Sequence, residues 1–162
     1  MVDLHERLNA LLKQERTTYH CADYLSAPFQ RQLQQRNTDP NGPPMPSWAG
    51  LSSASAGSSS SSTSSSGINE VWREKICEWS YQVVDHFDFS REVVGISISF
   101  LDRYLCTRAV DKKLFQLAAM TTLYLAIKIY EPGAISMASM IELSRGYFMV
   151  EQMAVMEMAI LQ

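Results

Sequence analysis

The sequence predicts an all-α protein in which residues 68–162 form a bundle of five helices. Apolar residues recur there at spacings of three and four, the period of a helix that packs one face on a core. Residues of the type that cap helix N-termini stand directly before four of these segments. Strand patterns are weak throughout, so no sheet is expected.

Residues 1–36 precede the bundle and are predicted to form a helical arm. A stripe of leucines at helical spacing runs through its first half: Leu4, Leu8, Leu11 and Leu12. The aromatic stretch TTYHCADYLSAPF follows and is interrupted by Pro28. So short a segment cannot bury enough apolar surface to be stable alone, and we expect it to dock on another surface.

Residues 37–67 are predicted to be a disordered linker. Prolines and glycines are frequent in its first half, and the tract SSASAGSSSSSTSSSG fills its second half. Such a composition offers almost no apolar surface to offset the entropy lost on ordering the chain.

The first two helices of the bundle each show a cap residue and an apolar face. Asn69 is suited to cap the first helix and Ser90 the second. The first apolar face comprises Val71, Trp72, Ile76, Trp79, Val83 and Phe87. The second comprises Val94, Ile98, Leu101 and Leu105.

The third helix is predicted to lie at the centre of the bundle. Asp111 is suited to cap it, and its sequence, LFQLAAMTTLYLAIKIYEP, is apolar on nearly all sides as far as Pro132. A helix without a polar face is buried all round.

The last two helices are shorter. The fourth is predicted to begin after Ser136 and to stop near Gly146. The fifth begins near Val150, carries Met153, Met156 and Ile160, and reaches Gln162 without a stop signal. We therefore expect the sequence to be a fragment of a longer protein.

Composition argues against several classes of function. The net charge of −3 lacks the basic surplus of a nucleic-acid-binding protein, and no apolar run is long enough to span a membrane. Cys21, Cys77 and Cys106 are widely spaced and are expected to be reduced thiols. The histidines are scattered and no nucleotide-binding or nucleophile motif is present. We expect no catalytic residue, metal, cofactor, small-molecule substrate, nucleic acid or membrane partner.

Four charged residues interrupt the apolar faces: Arg73, Asp102, Lys128 and Glu157. Any one of them could be a surface residue whose stem lies along the core. Two acids and two bases suggest pairing instead, because buried charges are tolerated when they are paired.

The segments WREKICEW, SFLDRYL, LFQLAAMTTLYLAIKIYEP and AVMEMAIL follow one another at spacings that resemble the first box of a cyclin. The resemblance covers about residues 68–162. It implies a five-helix bundle centred on the third helix, with Arg73 paired to Asp102 inside the box. It also implies a core that includes Leu117. Trp79, which belongs to the apolar face of the first helix, is expected in the same core.

The resemblance further implies that Lys128 and Glu157 face a kinase partner. The family usually has two acidic residues shortly after this lysine. Here Glu131 is the one that remains, and the resemblance implies that it also faces the kinase. The arm is similar to the one that many cyclins place ahead of the box, and VVDHFDFS looks closest to the D-type branch.

The sequence departs from the family at its docking patch for substrates. Trp72, Glu74, Lys75 and Ile76 occupy the positions of the usual Met-Arg and aliphatic pair. Lys75 would place a charge in the patch, so docking by that route is not expected.

The resulting hypothesis is a regulatory subunit that activates a cyclin-dependent serine/threonine protein kinase in cell-cycle control, located in the nucleus and cytoplasm. The alternative is a cyclin-fold transcription or scaffold module that binds proteins without activating a kinase. Such a module need not carry Lys128 and Glu157 together.

Overall fold

Helices and short turns make up the computed structural model, which describes residues 4–26, 28–32, 68–131 and 135–162. Six of the helices, named here in chain order, are α1 (Leu4–Thr17), α2 (Glu70–His86), α3 (Glu92–Leu105), α4 (Lys112–Tyr130), α5 (Met137–Glu142) and α6 (Val150–Leu161). Residues 28–32 are also helical, and no strand occurs among the described residues. The prediction of an all-α bundle is confirmed.

Helix α4 lies at the centre of the bundle, as its sequence predicts. Phe115 and every residue from 117 to 127 are buried. The helix packs most extensively on α3 and α6, and it also contacts α2 and α5. Because neighbours cover it from several sides, a polar face would leave unpaired groups in the core. Leu117, at 1% exposure, is one of its core residues.

Three helices begin at the predicted cap residues. Asn69 Oδ1 accepts a hydrogen bond from the Trp72 N–H at 3.1 Å. Asp111 Oδ1 accepts from the Leu114 N–H at 2.7 Å, and Ser136 Oγ accepts from the Ser139 N–H at 3.0 Å. Each side chain satisfies a backbone donor that the first helical turn leaves without a partner.

Helix α3 begins one residue later than predicted. Arg91, not Ser90, occupies the N-cap position, and the Arg91 side chain makes no cap hydrogen bond. Ser90 Oγ accepts from the Glu92 N–H at 3.4 Å, and the Val93 N–H donates to the Ser90 carbonyl at 3.1 Å. This tight first turn explains the shift, since it places Ser90 just outside the helix.

The predicted apolar face of α2 is correct except at its start. Val71 is 52% exposed, whereas Trp72 packs edge-on against the central Phe115 ring at 6.4 Å. Adjacent helical residues point about 100° apart, so Val71 and Trp72 cannot share one face. Trp79 is half-buried at the edge of the core and is not a core residue.

The end of α5 differs from the prediction, and α6 agrees with it. Helix α5 stops at Glu142, before Gly146, and the φ angles of 52° at Arg145 and 81° at Gly146 exclude its continuation through these residues. Met153 and Met156 of α6 are fully buried.

The N-terminal arm docks through its second half. Helix α1 has no buried residue, and Leu4 and Leu11 are 79% and 62% exposed. Tyr24 is buried, and Leu25 and Phe29 pack against the core of the bundle. The predicted linker at 37–67 lies outside the described residues.

Arg73, Asp102 and Tyr24 form a polar cluster that joins the arm, α2 and α3. The Arg73 Nε and Nη2 atoms donate to the two oxygens of Asp102 at 3.0 and 2.8 Å. The Tyr24 hydroxyl donates to Asp102 Oδ1 at 2.6 Å. Asp102 is therefore the common acceptor for three elements of the chain.

The Arg73–Asp102 pair is half-buried, contrary to the expectation of a buried one. The Arg73 side chain is 37% exposed and the Asp102 side chain 19%. The long arginine stem keeps the guanidinium near solvent while its fork reaches the carboxylate. Hydrogen bonding to Asp102 raises the pKa of Arg73, and burial followed by the bond to Asp102 raises the pKa of Tyr24.

We predict that Asp102→Ala lowers the free energy of unfolding by about 2–3 kcal/mol, because it leaves Arg73 and the buried Tyr24 hydroxyl without their acceptor. Asp85→Ala is the matched control. Asp85 binds Arg91 with the same two-bond geometry, at 2.9 and 2.8 Å, but the side chains are 46% and 70% exposed. Urea unfolding of both variants checks this, and equal effects would contradict the structural role of Asp102.

We also predict a pH dependence that originates at Tyr24. Its raised pKa means that folding favours the neutral phenol, so this contribution to stability is complete below about pH 10 and is lost as the pH rises through the folded pKa. The stability gap between the wild-type chain and Tyr24→Phe should therefore narrow above about pH 10. Tyr147→Phe, at a 67% exposed position, should follow the wild-type curve. If the free energies of unfolding of the wild-type chain and of Tyr24→Phe changed in parallel with pH, Tyr24 would not be the origin of the pH dependence.

Candidate functional site

The last turn of α4 carries an exposed ion pair with α6. Lys128 Nζ lies 2.8 Å from Glu157 Oε1 and 5.6 Å from the centre of the Tyr124 ring. The Lys128 side chain is 55% exposed and the Glu157 side chain 14%. The hydrogen bond to Glu157 raises the pKa of Lys128, so the ammonium is fully charged at neutral pH.

The position of Lys128 follows from the burial of α4. The helix is buried through Ile127 and becomes exposed at residue 128. A cation in the last helical turn is also favoured by the partial negative charge of the unpaired carbonyls there. The charged side chain of Lys128 therefore lies in the last turn of α4, where the C-terminal end of the helix leaves the core.

Glu131 is close in sequence but makes a different contact. Its Oε1 atom accepts a hydrogen bond from the Ser90 N–H at 3.3 Å, and its own N–H donates to the Ile127 carbonyl at 2.7 Å. Glu131 thus links the end of α4 to the turn between α2 and α3. Of the three residues predicted to face a kinase, the structure pairs Lys128 with Glu157 and joins Glu131 to this turn.

Exposed apolar side chains follow both members of this ion pair in the sequence, at the ends of the two helices. Ile129 and Tyr130 follow Lys128 and are 52% and 58% exposed. Met158 follows Glu157, and Leu161 lies one helical turn after it; they are 60% and 63% exposed. Exposed apolar groups around a few charges are typical of surfaces that bind proteins.

Sequence reasoning missed Ile129, Tyr130 and Leu161. Their apolar character suggested core positions, since the stripes of α4 and α6 continue through them. One signal for their exposure was available in the sequence. The apolar residues of α4 and α6 continue beyond Lys128 and Glu157, and these charges mark where the helices leave the core.

A cavity of about 630 Å³ lies on another face, between α2, α4 and the α5–α6 turn. Lys75 and Ile76 line it together with Trp79, Lys112 and Lys113. No carboxylate side chain is among its described lining residues, so the cavity is cationic. Trp72, another position of the expected docking patch, packs against Phe115, with Lys112 Nζ 4.4 Å from its ring centre.

The described residues provide no support for a metal site or for a membrane-spanning helix. No three histidine, cysteine, aspartate or glutamate side chains cluster there in a way that could hold a metal ion. Over the same residues, no helix is both long and apolar enough to cross a bilayer.

Curated proteins that resemble the chain are cyclins. It is 32% identical over 94 residues to G2/mitotic-specific cyclin-2 of Antirrhinum majus, covering 58% of this chain and 21% of the relative. It is 30% identical over 95 residues to G2/mitotic-specific cyclin-B2 of Rana japonica, covering 59% and 24%. It is 33% identical over 66 residues to G2/mitotic-specific cyclin-A1 of Caenorhabditis elegans, covering 41% and 14%.

These matches span a quarter or less of each relative's length. All three relatives have mitotic names, and the likeness to the D-type branch stays a prediction. The family model described as "Cyclin, N-terminal domain" matches residues 52–162, beginning before residue 68, where the sequence placed the start of the box. Because that match covers more than half of the chain, and the described helices form the predicted bundle, the chain belongs to the cyclin family.

Proposed function

We propose that this chain is a regulatory subunit that binds and activates a cyclin-dependent serine/threonine protein kinase in cell-cycle control. Family membership supports the class, and the names of the relatives place those proteins in the cell cycle. The observation that carries the proposal is the Lys128–Glu157 pair, exposed among apolar side chains at the ends of α4 and α6.

The ion pair is suited to binding because it contributes little to folding. An exposed pair adds only about 0–1 kcal/mol to stability, since water screens it. The Lys128 ammonium has more donors than the one bond to Glu157 uses, and Glu157 has a second oxygen. A partner that covers the pair can therefore hydrogen-bond to both side chains, and one that extends around the ends of both helices also buries Ile129 and Met158.

The proposed mechanism is a shift in the population of kinase conformations. Helices α4 and α6 are fixed by the core through Ile127 and Met156, so the surface that they present is rigid. A rigid surface that binds the active arrangement of the kinase more tightly than the inactive one raises the active fraction. The active arrangement of the kinase contains the kinase's own lysine–glutamate pair, distinct from Lys128 and Glu157, that phosphoryl transfer needs.

In this proposal the chain performs no chemistry of its own. Its role is to bind the kinase, and the transfer of phosphate takes place on the kinase. We propose the nucleus and cytoplasm as its location, where such kinases meet their substrates.

The alternative function is a cyclin-fold module that binds proteins without activating a kinase. The two functions differ in one measurable quantity, the phosphorylation rate of a purified kinase on a serine/threonine peptide with and without the chain. A rate that rises with bound chain supports the regulatory subunit, and binding without a change in rate supports the alternative.

We predict that Lys128→Ala and Glu157→Ala each weaken binding to the cognate kinase by at least about thirtyfold, which corresponds to about 2 kcal/mol. Their melting temperatures should fall less than that of Asp102→Ala, because one hydrogen bond is lost and the Lys128 side chain is 55% exposed. Calorimetric titration with a panel of purified cyclin-dependent kinases, together with thermal melts, measures both quantities.

Lys113→Ala is the matched control, since Lys113 lies about 22 Å from Lys128 along the same helix. It should bind like the wild-type chain. The double swap Lys128→Glu with Glu157→Lys restores the internal pair but reverses both charges, so binding should stay weak. Wild-type affinity in the swapped chain, or unfolding by either single substitution, would show that the pair is only structural.

A further inference from the structure

Two thiols from distant parts of the chain are in contact where the arm meets the bundle. Cys21 Sγ and Cys106 Sγ lie 3.0 Å apart although 85 positions separate the residues. Cys21 follows α1 and is exposed, and Cys106 is the C-cap residue of α3 and is half-buried. Both sulfur atoms also contact the Ala22 carbonyl, at 3.6 and 3.3 Å.

We propose that Cys21 and Cys106 form a redox modification site, which hydrogen peroxide closes into a disulfide that ties the arm to the end of α3. This inference concerns the chain itself and does not rest on the proposed kinase partner.

The geometry favours closure with little movement. A disulfide requires a sulfur–sulfur distance of about 2.0 Å, so the two sulfur atoms need to approach by about 1 Å. Cys21 belongs to the segment that follows α1, so the approach can come from the arm.

A small oxidant has access to both sulfur atoms. Cys21 is exposed, and Cys106 lines an open cavity of about 470 Å³ between the arm, α3 and the end of α6. Polar side chains, among them His20, Arg103 and Thr107, also line this cavity. Hydrogen peroxide is small and polar, so it can enter this cavity and reach Cys106.

The reaction balances in two steps. The Cys106 thiolate attacks one peroxide oxygen, the O–O bond breaks, and the leaving hydroxide takes up the thiol proton to form water; Cys106 becomes a sulfenic acid. The Cys21 sulfur then attacks the Cys106 sulfur, the S–S bond forms, the S–O bond breaks, and a second water leaves. Two thiols lose two electrons, and the peroxide gains them.

The contact between the two sulfur atoms supports this order. We assign the second step to Cys21, because its sulfur already lies 3.0 Å from the Cys106 sulfur that it attacks. Burial, and then the hydrogen bond with Cys106, raise the pKa of Cys21 to about 12, so little of it is thiolate at neutral pH.

The disulfide would fix the arm close to its main polar anchor. Cys21 lies three positions before Tyr24, whose hydroxyl donates to Asp102. A covalent link at Cys21 keeps Tyr24 near Asp102, and it restricts a long loop in the unfolded chain.

The test treats the full chain with hydrogen peroxide, blocks the remaining thiols by alkylation, and maps the peptides by mass spectrometry without reduction. We expect an intramolecular Cys21–Cys106 link in the wild-type chain and in Cys77→Ser, and none in Cys21→Ser or Cys106→Ser. In Cys21→Ser, dimedone should trap a sulfenic acid at Cys106.

The link should also raise the melting temperature by at least about 5 °C, and dithiothreitol should reverse the change. A crosslink that involves Cys77, a disulfide between two chains, oxidation without any crosslink, or an unchanged melting temperature of the crosslinked chain would each overturn the proposal.

Discussion

The burial of α4 on all sides is the constraint on which the rest of the structure depends. Helices α3 and α6 cover most of its surface, and α2 and α5 cover further parts. A helix so enclosed tolerates few polar groups, and the buried hydroxyls of Thr121 and Thr122 accordingly donate to carbonyls of their own helix at 2.7 and 2.9 Å. Charged side chains of α4 therefore stand at its two ends, Lys112 and Lys113 at its start and Lys128 where it leaves the core. The fold and the candidate binding surface therefore have one physical origin.

The two ion pairs between helices have similar chemistry but different roles. Asp102 accepts from Arg73 and from Tyr24, and it is mostly buried, so its loss would strand partners from two other elements. In the second pair the Lys128 side chain is 55% exposed, whereas the Glu157 side chain, at 14%, is as buried as Asp102. The first pair thus connects three elements of the chain, and the second presents an exposed ammonium to a partner.

Much of the bundle could be predicted from the sequence, because caps and helical periodicity are local signals. Asn69, Asp111 and Ser136 begin helices as expected, and the apolar run of α4 correctly indicated the centre. The exposure of a residue depends on neighbours distant in sequence. For that reason Trp79 was expected in the core and lies at its edge, and the contact of Tyr24 with Asp102 had no local signal. The apolar border of the site was hidden in the same way, since exposed and buried methionines look identical in a stripe.

We propose that the ends of α4 and α6 form the surface that a kinase covers, while the centre of α4 holds that surface rigid. Hydrogen–deuterium exchange of the chain, free and bound to a purified cyclin-dependent kinase, tests this proposal. We predict slow exchange at residues 117–127 in both states, and protection on binding at residues 128–131 and 157–161. Protection confined to the lysine-lined cavity that contains Lys75, or fast exchange at the centre of α4 in the free chain, would contradict it.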